Sequence, residues 1–203
     1  MMGGDFPDSL PVFDAYVRSF YISKAPITNE QFEAYKPEFE RTLGASDHAP
    51  AVGVTLHDAV GYCSWYSRIS KKNFRLPTEF EWEFACRGGT TDRCFIPPEK
   101  ASEYMWTKEN SQGQLKQADS LRLNPAGLHN MLGNTWEWTS SPFVPYPIDP
   151  GAEPNTNFDA EKQLVIRGGS FKTPLNEIGS ARRLPALPEH KSNDLGFRIV
   201  RSL

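Results

Sequence analysis

The sequence predicts one mixed α+β domain with short regular elements and a large share of loop. The 203 residues hold 15 Gly and 17 Pro, so turns and breaks are frequent. Thirteen Phe, seven Tyr and five Trp are spread among them, the composition of loops pinned by aromatic side chains. Helix-start signals occur at three places and strand-like stretches at three more.

The first strand-like stretch is 13–22. Thr28-Asn29-Glu30-Gln31 follows as a capping box, and Phe32 and Tyr35 continue a short amphipathic helix until Pro37. Thr55, with Asp58 three residues on, starts a second helix whose Ala59, Val60, Cys63 and Tyr66 fall at helical spacing. Thr78 and Glu81 start a third, which turns Trp82, Ala85 and Cys86 inward and ends at Gly88-Gly89. Glu79, Glu81 and Glu83 crowd its start, where carboxylates favour the helix macrodipole. From Arg87 to Val165 the regular signals mostly vanish. There Pro142, Pro145, Pro147, Pro150, Gly151 and Pro154 predict an exposed loop over 142–158. The remaining strands are expected at 164–167 and 195–200. With no internal repeat and no linker between two cores, residues 1–203 read as a single domain.

Composition narrows the function. Lys and Arg number 22 against 25 Asp and Glu, a net charge of −3, so the basic stripe that nucleic-acid binding needs is lacking. No apolar run approaches a membrane span and no signal-like segment opens the chain, so membrane insertion is not expected and the cytoplasm is the expected compartment. Three cysteines make no disulfide framework, and spacings of 23 and 8 match no zinc pattern. Cys63 and Cys86 read as small buried hydrophobes, and Cys94 as a loop residue. His48, His57, His129 and His190 form no pair at helical spacing and adjoin no nucleophile.

One constellation is more specific. In Asn130-Met131-Leu132-Gly133-Asn134-Thr135-Trp136-Glu137-Trp138, the side chains of Asn130 and Glu137 and the carbonyls of Gly133 and Thr135 offer four oxygens to a hard cation such as Ca²⁺. The same residues would equally satisfy loop amides, with both tryptophans packed as core plugs.

Five ordered motifs then produce a resemblance. They are Phe20-Tyr21-Ile22 with Ile27-Thr28-Asn29-Glu30-Gln31-Phe32; Arg75-Leu76-Pro77-Thr78-Glu79-Phe80-Glu81-Trp82-Glu83-Phe84-Ala85; 127–138; Val165-Ile166-Arg167-Gly168-Gly169-Ser170-Phe171; and Leu195-Gly196-Phe197-Arg198. Together they resemble the formylglycine-generating-enzyme (sulfatase-modifying factor) family from about Phe20 to Val200. The resemblance implies a C-type-lectin-like fold, with a small twisted antiparallel sheet, a few short helices and long loops. It also implies a structural Ca²⁺ at Asn130, Gly133, Thr135 and Glu137. A second calcium site of the family would begin near Glu109-Asn110-Ser111, but its further ligands have no clear equivalent, Asp119 being the nearest substitute.

The resemblance departs at the chemistry. Catalytic members carry a copper-binding cysteine pair shortly after Arg-Gly-Gly-Ser. Here 171–183 holds no cysteine, and no copper is expected, because soft thiolates are what select Cu(I). The histidine-ligated iron of the related sulfoxide synthases needs a further helical domain, and four scattered histidines do not replace it. Non-enzymatic relatives include the variable proteins of diversity-generating retroelements, which display diversified side chains between a Gly-Gly-Ser-like motif and a final Gly-Phe-Arg. The matching segment here is 168–198. Thr173, Leu175, Asn176, Leu184, Ala186, Leu187, His190 and Ser192 are residues that such diversification yields, whereas Lys172, Glu177, Glu189 and Lys191 would be fixed. Leu184, Ala186 and Leu187 read as an exposed contact patch, the alternative being that Leu184 and Leu187 pack inward. The expectation is a monomeric, non-catalytic binding domain for a protein or other macromolecular ligand, the alternative being a fixed accessory or cryptic enzyme of the family.

Overall fold

The computed structural model describes residues 1–147 and 158–203. Three helices form where the caps predict them. They are α1 (Asn29–Glu33), α2 (Leu56–Ser70) and α3 (Glu79–Arg87), and each opens on a complete capping box from Thr28, Thr55 and Thr78. In α2 the Asp58 backbone N–H donates to Thr55 Oγ1 at 3.1 Å while the Thr55 N–H donates to the Asp58 carboxylate at 3.0 Å, which satisfies two donors that a bare helix start leaves open. Helix α3 stops at Gly88, whose φ of 53° places it in the left-handed region and lets its N–H reach the Phe84 carbonyl.

Among the described residues, seven short strands make two sheets. In chain order they are β1 (Phe20–Ile22), β2 (Phe74–Arg75), β3 (Trp136–Pro142), β4 (Leu164–Arg167), β5 (Arg183–Ala186), β6 (Leu195–Gly196) and β7 (Val200–Ser202). The smaller sheet runs β1-β7-β2, antiparallel throughout. The larger runs β5-β4-β3-β6, with only β3 and β6 parallel.

Several sequence expectations shift here. The strand expected at 13–22 shrinks to β1, while Phe13 makes an isolated bridge to Met2. The stretch expected at 195–200 splits into β6 and β7, in different sheets, with Phe197 and Arg198 buried between them. Inside the supposedly irregular 87–165 lies β3, an interior strand of the larger sheet. Residues 136–140 are all buried, so the in–out alternation that betrays a strand is absent. Pro142 closes β3 opposite Leu164 instead of opening a loop. The remainder of that expected loop, with Pro150, Gly151 and Pro154, lies outside the described residues. Strand β5 escapes notice because Pro185 sits within it, which an edge strand tolerates.

The main core lies among α1, α2 and the larger sheet. Phe32 is its centre, fully buried, with Tyr35, Phe39, Tyr62 and Phe197 at ring-centroid distances of 4.8–6.0 Å. A second cluster, built on Trp82, Met105, Met131 and Leu132, packs α3 against the loops that precede β3. Among the described residues no helix is long and apolar enough to cross a membrane. Phe32→Ala removes the ring that four others contact and is expected to cost about 3–5 kcal/mol in a urea-unfolding experiment.

Candidate functional site

The segment predicted to carry binding, 168–198, is fixed to the frame by buried charge. Arg167 ends β4, Arg183 opens β5 and Arg198 lies between β6 and β7. All three are buried, against Glu79 and Glu83 on α3 and Glu137 on β3. Arg183 grips Glu79 with two bonds of 2.9 Å. Arg167 Nη2 donates to Glu79 at 3.0 Å and to Glu83 at 2.9 Å, and the Tyr146 hydroxyl donates to Glu79 at 2.9 Å. Arg198 grips Glu137 at 2.6 and 2.8 Å, and the Trp82 indole N–H adds a third bond to that carboxylate at 2.7 Å. Burial alone would lower the Arg167 pKa, but Tyr146, Glu83 and Glu79 more than offset it and the net direction is upward. Glu79 and Glu83 therefore do more than favour a helix dipole. Four residues apart, they share the inward face of α3, and only Glu81 keeps the capping role, held by Arg75 at 2.7 Å.

Within the segment, Ser170 Oγ donates to Asp194 at 2.7 Å, tying its two ends together. The eight residues expected to bind ligand divide. Thr173 is buried, and its Oγ1 accepts the Ser170 N–H at 3.0 Å. Leu184 is half-buried against the main core, so the inward alternative holds for it and fails for Leu187, and Ala186 is buried opposite Leu164. Leu187, Asn176 and His190 are exposed, Ser192 is half-buried, and Leu175 is half-buried over a cavity. The 187–192 loop is set by backbone bonds from Leu56 N–H to Pro188 and from Gly53 N–H to Ser192. Side chains outside the expected set face solvent beside it, among them Lys172, Glu177, Glu189 and Lys191.

The cavity beneath Leu175 measures about 470 Å³ and is lined by Cys94, Ile96, Met105 and Ile178, with Arg93 and Glu109 among its polar lining. Arg93 is held by Asp5 and by the carbonyls of Asn176 and Ile178, and Glu109 accepts the Leu175 N–H at 3.2 Å. In the sequence Glu109 stands out only as the start of the second calcium region and Arg93 not at all, because their partners Leu175, Asn176 and Ile178 are distant in the chain. Cys94 borders the cavity as a neutral thiol, since burial pushes its pKa up to about 11; burial likewise raises Cys63 and Cys86 to about 12. Among the described residues no three His, Cys, Asp or Glu side chains gather as metal ligands.

Of the expected Ca²⁺ ligands, only Asn130 offers a wholly open oxygen to a hard cation, while the Gly133 carbonyl accepts the Thr135 N–H at 2.8 Å and Glu137 is paired with Arg198. Asn130 Nδ2 donates to the carbonyls of Gln117 and Ala118, while its Oδ1 is buried and accepts nothing. Gly133 must be glycine, for its φ is 74° and a Cβ would run into the Trp106 carbonyl. Glu137 has one carboxylate oxygen filled by two donors and the other by one, which leaves a single lone-pair site on Oε1. At the second calcium region, Asn110 spends its side chain on Thr107 N–H and the Met105 carbonyl.

Glu79→Gln would leave Arg183 and Arg167 short of their buried counter-charge. The expected loss is about 3–5 kcal/mol in chemical denaturation, far above that of the exposed pair Arg122–Glu103, for which Glu103→Gln should change stability by less than about 1 kcal/mol.

A family model for the sulfatase-modifying factor enzyme 1-like domain matches residues 1–203. The formylglycine-generating enzyme of Bos taurus is 33% identical over 181 residues, covering 78% of this chain and 45% of the relative. The inactive C-alpha-formylglycine-generating enzyme 2 of Mus musculus is 30% identical over 172 residues, covering 75% of this chain and 49% of the relative. The chain thus spans about half the length of these curated relatives, which include both an active enzyme and an inactive paralogue. Among solved structures, PvdO from Pseudomonas aeruginosa superposes with a TM-score of 0.86 at 24% identity, over 100% of this chain and 90% of that one. Treponema denticola variable protein 1 superposes with a TM-score of 0.77 at 21% identity, over 91% and 84%. These two likenesses establish the fold, which is the C-type-lectin-like one that the motifs implied. By that match along its whole length, the chain belongs to the sulfatase-modifying factor enzyme 1-like domain family.

Proposed function

We propose that this chain is a non-catalytic binding domain that presents the outer side of 172–192 to a protein or other macromolecular ligand. The observation that carries the reading is the contrast within 168–198. Its backbone is pinned by Arg167, Arg183, Arg198 and the Ser170–Asp194 bond, while Asn176, Leu187 and His190 face solvent with little structural duty. A surface ordered in advance avoids the entropy of fixing a loose loop on binding, so affinity comes from a few exposed side chains. The likeness to a variable protein supports extending the reading to natural diversification of this face. The absence of any cysteine in 171–183, and a Cys94 thiol kept neutral by burial, argue against the copper chemistry of the catalytic relatives. Identities of 33% to an active relative and 30% to an inactive one do not separate the two outcomes, so the chemistry of the site must.

Sequencing codons 168–198 across natural copies of the gene tests the extension. Substitutions should concentrate at Leu175, Asn176, Leu187, His190 and Ser192 and spare Thr173, Leu184 and Ala186, which structure holds in place. Uniform codons would leave a fixed binding surface. In purified protein, substitutions at Asn176, Leu187 or His190 should shift stability by no more than about 0.5 kcal/mol, whereas Ala186→Asp should unfold the domain. One bound copper per chain together with oxidation of a peptide cysteine would overturn the non-catalytic reading.

The same reading includes a structural Ca²⁺ held by Asn130 Oδ1, the carbonyls of Gly133 and Thr135, and Oε1 of Glu137. It is supported by the buried Asn130 oxygen that accepts no bond. Adding Ca²⁺ should raise the unfolding temperature, as a ligand selective for the folded state does, and Asn130→Leu should abolish that rise. An unfolding temperature indifferent to millimolar Ca²⁺ would remove the ion from the account.

A further inference from the structure

A second concavity shares no residue with 168–198. It measures about 710 Å³ and lies among β1 and the loop after it, the start of α1, the later turns of α2, and β2. Its aromatic wall is Tyr62, Trp65, Tyr66 and Phe74, with consecutive ring centroids 5.5, 6.2 and 4.8 Å apart. Tyr62 is 3% exposed, yet it lines the cleft, and its hydroxyl has no hydrogen-bond partner among the described residues. That hydroxyl is not among the buried side-chain atoms sealed from solvent, so the cleft is where it meets water. Burial also pushes the phenol's pKa up, which keeps it neutral.

Charge in the cleft is equally unspent. Glu30 and Asp119 line it as exposed carboxylates, and Lys24 as an exposed ammonium. None of the three makes an ion pair among the described residues. Elsewhere the fold sets cations over aromatic rings repeatedly, including Arg201 over Tyr21 at 4.3 Å on the rim of this cleft. Tyr62, Trp65, Tyr66 and Phe74 carry no cation of the protein's own among the described residues.

We propose that this cleft binds an organic cation, an alkylammonium or guanidinium group, against Trp65 and Tyr66, with the Tyr62 hydroxyl accepting a hydrogen bond or polar contact and Glu30 and Asp119 as counter-charges. Electron-rich ring faces attract cations, and Glu30 and Asp119 are the unpaired counter-charges in the lining, beside Lys24 and His48, while Arg201 is engaged over Tyr21 at the rim. A neutral sugar would also stack on these rings and donate hydroxyls to the carboxylates, but its binding would not weaken with salt as that of a cation does.

Choline and N-acetyl-arginine amide separate the two headgroups, with methyl glucoside as the neutral control, in isothermal titration calorimetry and NMR of the tryptophan indole N–H signals. At least one cation should bind saturably and move the Trp65 signal, more weakly as salt is raised, and the glucoside should not. The double variant Glu30→Gln, Asp119→Asn touches only exposed side chains and should weaken binding about tenfold while leaving the unfolding temperature unchanged. Tyr62→Phe keeps the ring and should weaken it about threefold. Equal binding of the glucoside, undiminished binding by the double variant, or no saturable binding of either cation to the folded chain would each overturn the proposal.

Discussion

Buried guanidinium–carboxylate pairing is the constraint on which this architecture rests. Arg167, Arg183 and Arg198 come from three points of the last forty residues and end on carboxylates of α3 and β3. None of these charges is tolerable alone in the interior, so each arginine effectively dictates where its strand or loop must lie. Arg87 extends the network, joining Glu83 to the carbonyls of Gly3, Thr91 and Asp92. Carbonyl oxygens thereby take up the cationic charge that the glutamates leave over. Such a system contributes less to net stability than its bonds suggest, since desolvation is large, but it penalises every alternative arrangement.

That constraint explains how so much irregular chain can be ordered. Among the described residues the longest strand is β3, at seven residues. The result is a division of labour. Interior charge and aromatic packing hold the backbone of the C-terminal segment, without help from the exposed side chains of Asn176, Leu187 and His190.

Legibility in the sequence followed the range of the interactions. The helices were readable because a capping box is local: Thr55 and Asp58 are three residues apart. Strand β4 was readable as a short apolar run. Strand β3 was not, because it is buried on both faces and carries no alternation, and β5 was hidden by Pro185. The motifs around Arg167 and Arg198 were visible as a resemblance, but not their partners. The Arg183–Glu79 pair spans 104 positions, and no local pattern reports it. Thr173 and Ala186 read as surface, and Leu184 stayed open between surface and core, for the same reason. Their burial depends on Ser170, on the main core and on Leu164 across the sheet, none of which spacing within the segment reveals. The aromatic cleft has no local signature, because Tyr66 reads as an ordinary helix residue and the cleft forms only when β1, β2 and α1 come beside it.

Strand β7 sits between β1 and β2 in the smaller sheet, pairing Ser202 with Phe20 and Arg201 with both Tyr21 and Phe74. The middle strand of that sheet is therefore made about 180 residues after its first neighbour. On the ribosome, β1 and β2 must wait as unpaired edges while nearly everything else emerges, and the sheet closes only when 200–202 arrive. Closure across so long a separation is entropically slow, so this domain should complete folding late, as one step, rather than element by element during synthesis.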